Sequence, residues 1–214
     1  MKLFFDAIVK FSLGLVLVGA LLFLPAGSWA YPGGWLFVGL LFIPMFIAGI
    51  FMLFKSPDLL KKRLDVKEKR SAQQGVVKLS GLMFIAGFVV AGLDFRFGWS
   101  HVPSGLVITA AVIQLLAYAM YAEVMRENAY LSRTIEVQED QKVVSTGLYG
   151  VVRHPMYSAT LLLFLSMPLV LGSLYAFLIF LIYPFIIAKR IRHEESFLKQ
   201  ELPGYAEYTQ KVKY

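Results

Sequence analysis

Arg153-His154-Pro155-Met156-Tyr157 and Arg190-Ile191-Arg192-His193-Glu194-Glu195 are two charged clusters separated by one uncharged stretch, Met156 to Ala188. Guanidinium, imidazole, phenol and carboxylate groups together can hold an anion and order a polar reacting centre. His154-Pro155 reads as a helix start, because proline suits the first helical position and disfavours helix in the residue before it. Free amides at such a start attract a carboxylate or phosphate, and Arg153 adds a fixed charge beside them. Tyr149 and Tyr157 bracket the turn, each with a ring to stack on and a hydroxyl to donate. Arg190 and Glu194 are spaced i,i+4 on one helix face, while Glu195 is expected to point elsewhere and His193 to lie on a neighbouring flank. Taken alone, Arg190 and Glu194 would form only a local ion pair.

The elements that bring these clusters together are apolar. Gly172-Ser173 lies near the middle of the uncharged stretch, and a turn there gives equal arms, Pro155–Leu171 and Leu174–Arg190. At 1.5 Å per residue each arm runs roughly 25 Å, close to the span of a bilayer core. Equal arms return the second cluster to the membrane face where the first begins. Six apolar spans follow, about Phe4–Leu24, Trp35–Phe54, Val76–Leu93, Pro103–Met125, Pro155–Leu171 and Leu174–Ala188. The expected fold is therefore an all-α integral membrane protein of about six transmembrane helices, the last two a C-terminal hairpin. Residues 1–125 form a four-helix membrane region, and 126–214 a cofactor-binding and catalytic region with the hairpin 155–190 and a cytoplasmic C-terminal helix. Trp29, Tyr31, Trp35 and Trp99 stand near span ends, as interfacial rings do.

Composition agrees with that placement. The chain has 214 residues, 58% of them hydrophobic, and a net charge of +7. The charge does not point to nucleic acid, because the basic residues flank apolar spans instead of forming an aromatic-interleaved patch. With six crossings, 20 of the 21 Lys and Arg fall on one side and only Arg96 on the other. The positive-inside rule then places both termini and both clusters in the cytoplasm. The basic loop Leu59–Gln74, with Lys61, Lys62, Arg63, Lys67, Lys69 and Arg70, reads as a topology determinant or a site for anionic head groups. Near the N-terminus, Ala26-Gly27-Ser28-Trp29-Ala30 has small residues at signal-peptide spacing, but the apolar run before it is long enough for a first membrane helix. The absence of cysteine excludes thiolate chemistry and disulfides, and the presence of only two histidines near the clusters argues against a metal site. Glu123 and Glu127, with Arg126, read as an interfacial collar.

In order along the chain stand Gln138, Val143-Val144-Ser145-Thr146-Gly147-Leu148-Tyr149, Arg153-His154-Pro155-Met156-Tyr157, Arg190, Glu194-Glu195 and Gly204-Tyr205-x-x-Tyr208. This set resembles the isoprenylcysteine carboxyl methyltransferase family and the wider group of bacterial phospholipid-methyltransferase-like and NnrU-like membrane proteins. The resemblance implies a membrane methyltransferase using S-adenosylmethionine, without a soluble Rossmann domain, acting on a lipid-like or membrane-partitioned carboxylate, amine or thiol. It implies cofactor contacts from Gln138, Gln141, Lys142, Val143, Val144, Tyr149, His154, Pro155, Met156, Tyr157 and Glu194. Arg190 would face the substrate, and Arg190, Glu194 and Arg153 form the expected catalytic set. The expected partners are the bilayer and an apolar small molecule entering between helices.

Three positions depart from the family. Gln141 replaces the histidine of the eukaryotic prenylcysteine enzymes, Ala159 replaces a usual glycine and is expected to narrow the pocket, and the chain stops at Tyr214 where many relatives continue. Two other readings compete. One is an NADPH-dependent sterol-type reductase, which typically carries Asn-Tyr-x-Gly-Glu where this chain has Met156-Tyr157-Ser158-Ala159-Thr160. The other is a non-catalytic scaffold that binds a partner or lipid.

Overall fold

The computed structural model describes residues 2–64, 71–128, 130–131 and 137–213. Much of the basic loop (Asp65, Lys67, Glu68, Lys69, Arg70), as well as Arg133 and the terminal Tyr214, lies outside the described residues, as do the side chains of Lys2, Lys62 and Arg63. Every regular element among the described residues is helical: α1 (Lys2–Ala26), α2 (Pro32–Lys55), α3 (Pro57–Leu64), α4 (Ser71–Phe97), α5 (Ser104–Glu127), α6 (Pro155–Val170), α7 (Leu174–Phe180), α8 (Tyr183–Glu201) and α9 (Tyr205–Lys211). A single 3-10 turn covers Gly147–Gly150.

Among the described residues, five stretches are long and apolar enough to cross a bilayer: α1, α2, α4, α5 and the combined run Leu174–Glu201. The sixth apolar helix, α6, is shorter, at 16 residues. The hairpin forms where the sequence marks it. Gly172 adopts φ +79°, a left-handed conformation that glycine reaches without Cβ strain. Ser173 then caps α7, its Oγ accepting from the Ala176 amide at 3.0 Å. The second arm is not one helix, however. Pro184 carries no amide hydrogen, so the ladder breaks at Leu181–Ile182 and restarts as α8 at Tyr183. α8 then runs on past Ala188, where the apolar span was expected to stop, to Glu201.

The end of the bundle that holds the hairpin turn is tied by polar groups. Asp94, only 1% exposed at the end of α4, accepts from the Ser100 amide at 2.7 Å, the Ser100 hydroxyl at 2.6 Å and the Ser173 hydroxyl at 2.5 Å. Tyr31, expected among the interfacial rings, is instead buried, and its hydroxyl donates to the Leu171 carbonyl at 2.7 Å. Trp29, Trp35 and Trp99 remain exposed. One buried carboxylate and one buried phenol thus fasten α1–α2, α4–α5 and α6–α7 at a common end.

Most large core side chains gather in that same half, including Leu22, Phe23, Phe37, Phe88, Val170, Leu171 and Phe180. α6 packs most extensively on α5, and both bury small residues, Ala110 and Ala117 on α5 with Ala159 and Ser166 on α6. Close approach of these two helices fixes where the first turn of α6 sits, and therefore where its charged cluster sits.

Candidate functional site

At the opposite end of the bundle the two charged clusters meet. α6 starts at Pro155, with His154 as its N-cap in a non-helical conformation (φ −126°, ψ 60°). The last turns of α8 lie alongside. Arg153 Nε donates to Glu195 Oε1 at 2.7 Å, and His154 Nε2 lies 3.1 Å from the same oxygen. Arg153 also donates from an Nη atom to the Val212 carbonyl at 3.0 Å, which ties the end of α9 into the cluster. The Tyr157 hydroxyl donates to Glu194 Oε2, and Arg190 Nε reaches that hydroxyl at 2.8 Å. The carboxylates divide the work: Glu195 joins the first cluster to α8 through Arg153 and His154, and Glu194 joins it through Tyr157.

This corrects one expectation about individual side chains. Glu195 does not point away; it is the main ionic link between the clusters. Arg153, expected as a fixed charge beside the helix start, has its guanidinium engaged by Glu195 and Val212, with the side chain 19% exposed. Charge-assisted hydrogen bonds of this length are the strong ones, so the pair sets a rigid wall.

A second wall comes from the segment between α5 and α6. Glu127 Oε2 accepts from the Leu148 amide at 3.0 Å, and Asn128 Nδ2 donates to the Tyr149 hydroxyl at 2.9 Å. Tyr208 on α9 donates its hydroxyl to the Tyr149 carbonyl at 2.6 Å. Glu127 therefore leaves the expected collar, in which only Glu123 and Arg126 pair, through two contacts at 2.8 and 2.5 Å. Gly147 makes this possible. Its φ of +51° favours glycine, and the Glu127 carboxylate lies where a Cβ would stand, so a larger residue would turn that side chain away from the Leu148 amide. Burial pushes the Tyr149 phenol up to about 12, with the Asn128 contact opposing and Glu194 reinforcing that rise.

These walls enclose one end of a cavity of about 2310 Å³. That exceeds the roughly 300–1,000 Å³ typical for one small ligand, leaving room for two. Of the expected site residues, Gln141, Lys142, Val143, Val144, Tyr149, Arg153, His154, Pro155, Met156, Tyr157, Arg190 and Glu194 all line it. Gln138 does not; it braces the loop, its amide donating to Gln141 Oε1 at 2.9 Å and its Nε2 to the Tyr130 carbonyl at 2.7 Å. Ala159 is fully buried and is also not among the lining residues, so it narrows nothing.

Among the lining residues without an assigned role, beside many from α1, α2 and α3 such as Phe11, Met45 and Leu60, are Leu202, Tyr205 and Tyr208 of the C-terminal segment. They form a small apolar cluster with Val212, against which Val143 and Leu198 pack. The Tyr205 hydroxyl is buried without a hydrogen-bond partner among the described residues. Burial, reinforced by the Glu195 and Glu194 carboxylates, holds its phenol well above the usual range. A neutral, unpartnered hydroxyl inside a cavity wall is a candidate for a ligand contact. The signal that could have found it is Gly204-Tyr205-x-x-Tyr208 itself, which puts both rings on one face of a short helix.

Residues 102–203 match the model of the phospholipid methyltransferase family. The matched segment runs from the start of α5 to the end of α8 and contains both charged clusters. The Gly204–Tyr208 motif lies just beyond it. This is the membrane methyltransferase group that the motifs resemble. No curated protein matches the chain.

Proposed function

We propose, from the phospholipid methyltransferase signature in residues 102–203, that the chain is an S-adenosylmethionine-dependent methyltransferase acting on a lipid-like substrate. The observation that carries the reading is the junction of Arg190, Tyr157 and Glu194 at the polar end of a large cavity.

The lining suits the cofactor. Glu194 offers a carboxylate for ribose hydroxyls, and the amides at the start of α6, beside His154, suit a methionine carboxylate. Val143, Val144, Tyr149 and the unpartnered Tyr205 offer apolar walls and a hydroxyl for a heterocycle. When bound, the cofactor supplies an electrophilic methyl group on a sulfonium. Methyl transfer of this kind asks the protein for alignment and for exclusion of water more than for a strong acid or base. Arg190 orients a polar acceptor beside Tyr157, and Tyr157 keeps Arg190 and Glu194 in register. Arg153 acts as a positioning residue, holding α6 to α8 through Glu195. We place this end of the bundle on the cytoplasmic side, on the strength of the basic-residue asymmetry of the sequence.

Isothermal titration of the detergent-solubilised protein with S-adenosylmethionine and with NADPH tests the reading. Saturable binding of the first alone is expected; binding of NADPH alone would replace it by the reductase reading. Incubation with methyl-labelled cofactor in membranes should then place label in a lipid-extractable product.

A further inference from the structure

The cavity, also lined from α1, α2 and α3 by residues such as Phe11, Met45 and Leu60, is graded along its α6 and α8 walls. On α8 it is lined by Tyr183, Ile187, Arg190, Glu194 and Leu198, a single helix face that is apolar toward the bundle interior and charged toward the site. On α6 it is lined by Met156, Tyr157, Thr160, Leu163, Phe164 and Met167, graded in the same direction. The apolar arm stops in mid-bundle. There Phe84 of α4 meets Phe164 edge-on at 4.8 Å and Phe180 at 5.4 Å, while Phe164 meets Tyr183 at 4.7 Å. Met167 (3% exposed) and Leu163 (7%) complete this floor. Beyond it lies the packed core described above.

Resting on the methyltransferase reading, we propose that the Phe84–Phe164–Met167 floor is a length gauge. The substrate is an amphiphile with a single extended alkyl chain running from Arg190 to this floor, and the floor sets the longest chain held in full. From Tyr157 to Met167 the helix advances about 15 Å. A zigzag chain with carbon–carbon bonds of about 1.5 Å advances about 1.25 Å per bond, so an extended chain covers that distance in roughly twelve carbons. Shorter chains leave apolar wall uncovered, and longer ones must fold or protrude. The walls discriminate by area, so each missing methylene weakens binding by a few-fold, up to the floor.

The gauge is tested with lysophosphatidylethanolamines bearing saturated chains of 8 to 18 carbons, added to the full-length protein in a sterol-based detergent. Thermal stabilisation is read for each chain length. The wild type should show stabilisation that rises to a break near 12 carbons and then levels. Phe164→Leu, which opens the floor while staying apolar, should move the break to longer chains. Leu163→Phe, which fills the arm, should move it to shorter ones. Opposite shifts cannot come from general destabilisation. A smooth dependence without a break, or a break that neither variant moves, overturns the gauge. Methyl-labelled cofactor added to the same series separates the two proposals. A movable break without methyl transfer removes the catalytic reading and leaves the gauge, whereas transfer with no break removes the gauge alone.

Discussion

Arg190 donates from Nε to the Tyr157 hydroxyl at 2.8 Å, so the residue expected to face substrate is oriented by a residue 33 positions earlier in the chain. The same hydroxyl donates to Glu194. One phenol thus sets the separation of a cation and an anion that would otherwise be free to pair along their own helix face. Removing it should disturb the site more than the fold. Tyr157→Phe is expected to weaken S-adenosylmethionine binding about tenfold, in line with the roughly 1.5–3 kcal/mol of a hydrogen bond to a charged group. Titration calorimetry checks this, and an unchanged affinity with intact helicity would detach Tyr157 from the site.

Arg153 and Glu195 should behave as a coupled pair. Both are mostly buried, at 19% and 15% exposure, so removing one leaves the other desolvated without its main ionic partner, Glu195 keeping only His154 and Arg153 only the Val212 carbonyl. Arg153→Met and Glu195→Gln should each lower thermal stability, and the double variant should lose less than the two losses combined. A coupling of about 1–3 kcal/mol in that cycle is expected. Strict additivity would show that the contact does not tie α6 to α8.

These two relationships mark how far the sequence could be read. The hairpin was legible because Gly172-Ser173 and the gap in charge are local signals, and the structure turns there. The meeting of the clusters was legible too, because equal arms bring their ends together. Side-chain partners were not. Glu195 was assigned away from the site by helix periodicity, yet only a neighbouring helix decides which of two adjacent carboxylates meets Arg153. Tyr31 looked like an interfacial ring because its position at a span end is a local fact. Its burial against Leu171 depends on a helix 140 residues away. The break at Pro184 was visible in the sequence, but hydropathy averages over it.

Tyr149 predicts a pH effect with a definite sign. Its folded pKa, about 12, lies above the unfolded value near 10. Its contribution is thus fully present below pH 10 and is lost as pH rises from 10 toward 12. Tyr149→Phe should cost about 1 kcal/mol near pH 8, through the lost Asn128 contact. The gap between wild type and variant should close above pH 10. Thermal melts at pH 8, 10 and 11.5 measure it, and a gap that widens with pH would reverse the assignment.

Asp94 should matter for stability and not for the reaction. It holds three donors at the end of the bundle away from the site. Asp94→Ala leaves the Ser100 amide and the two hydroxyls without their acceptor, at a cost of about 2–4 kcal/mol. A drop in melting temperature is expected with cofactor affinity unchanged at temperatures where the variant is folded. Weakened affinity in the folded variant would mean that the two ends are coupled through α6.

Gly147 gives the sharpest test of how the second wall is held. A Cβ at this position would overlap the Glu127 carboxylate, and the backbone is left-handed at φ +51°. Gly147→Ala therefore carries two separable penalties: about 1–2 kcal/mol of backbone strain and the displacement of Glu127 from the Leu148 amide. Removing the obstructing side chain separates them. In Gly147→Ala with Glu127→Ala the overlap is gone and only the backbone strain and the unmet Leu148 amide remain. The double variant should then lose less than the two single losses combined, because Gly147→Ala already displaces Glu127 from the Leu148 amide. This shortfall is specific to the geometry, because two independent losses would add. Melting temperatures of the four proteins decide it. If the losses add in full, Glu127 does not occupy the space that glycine leaves.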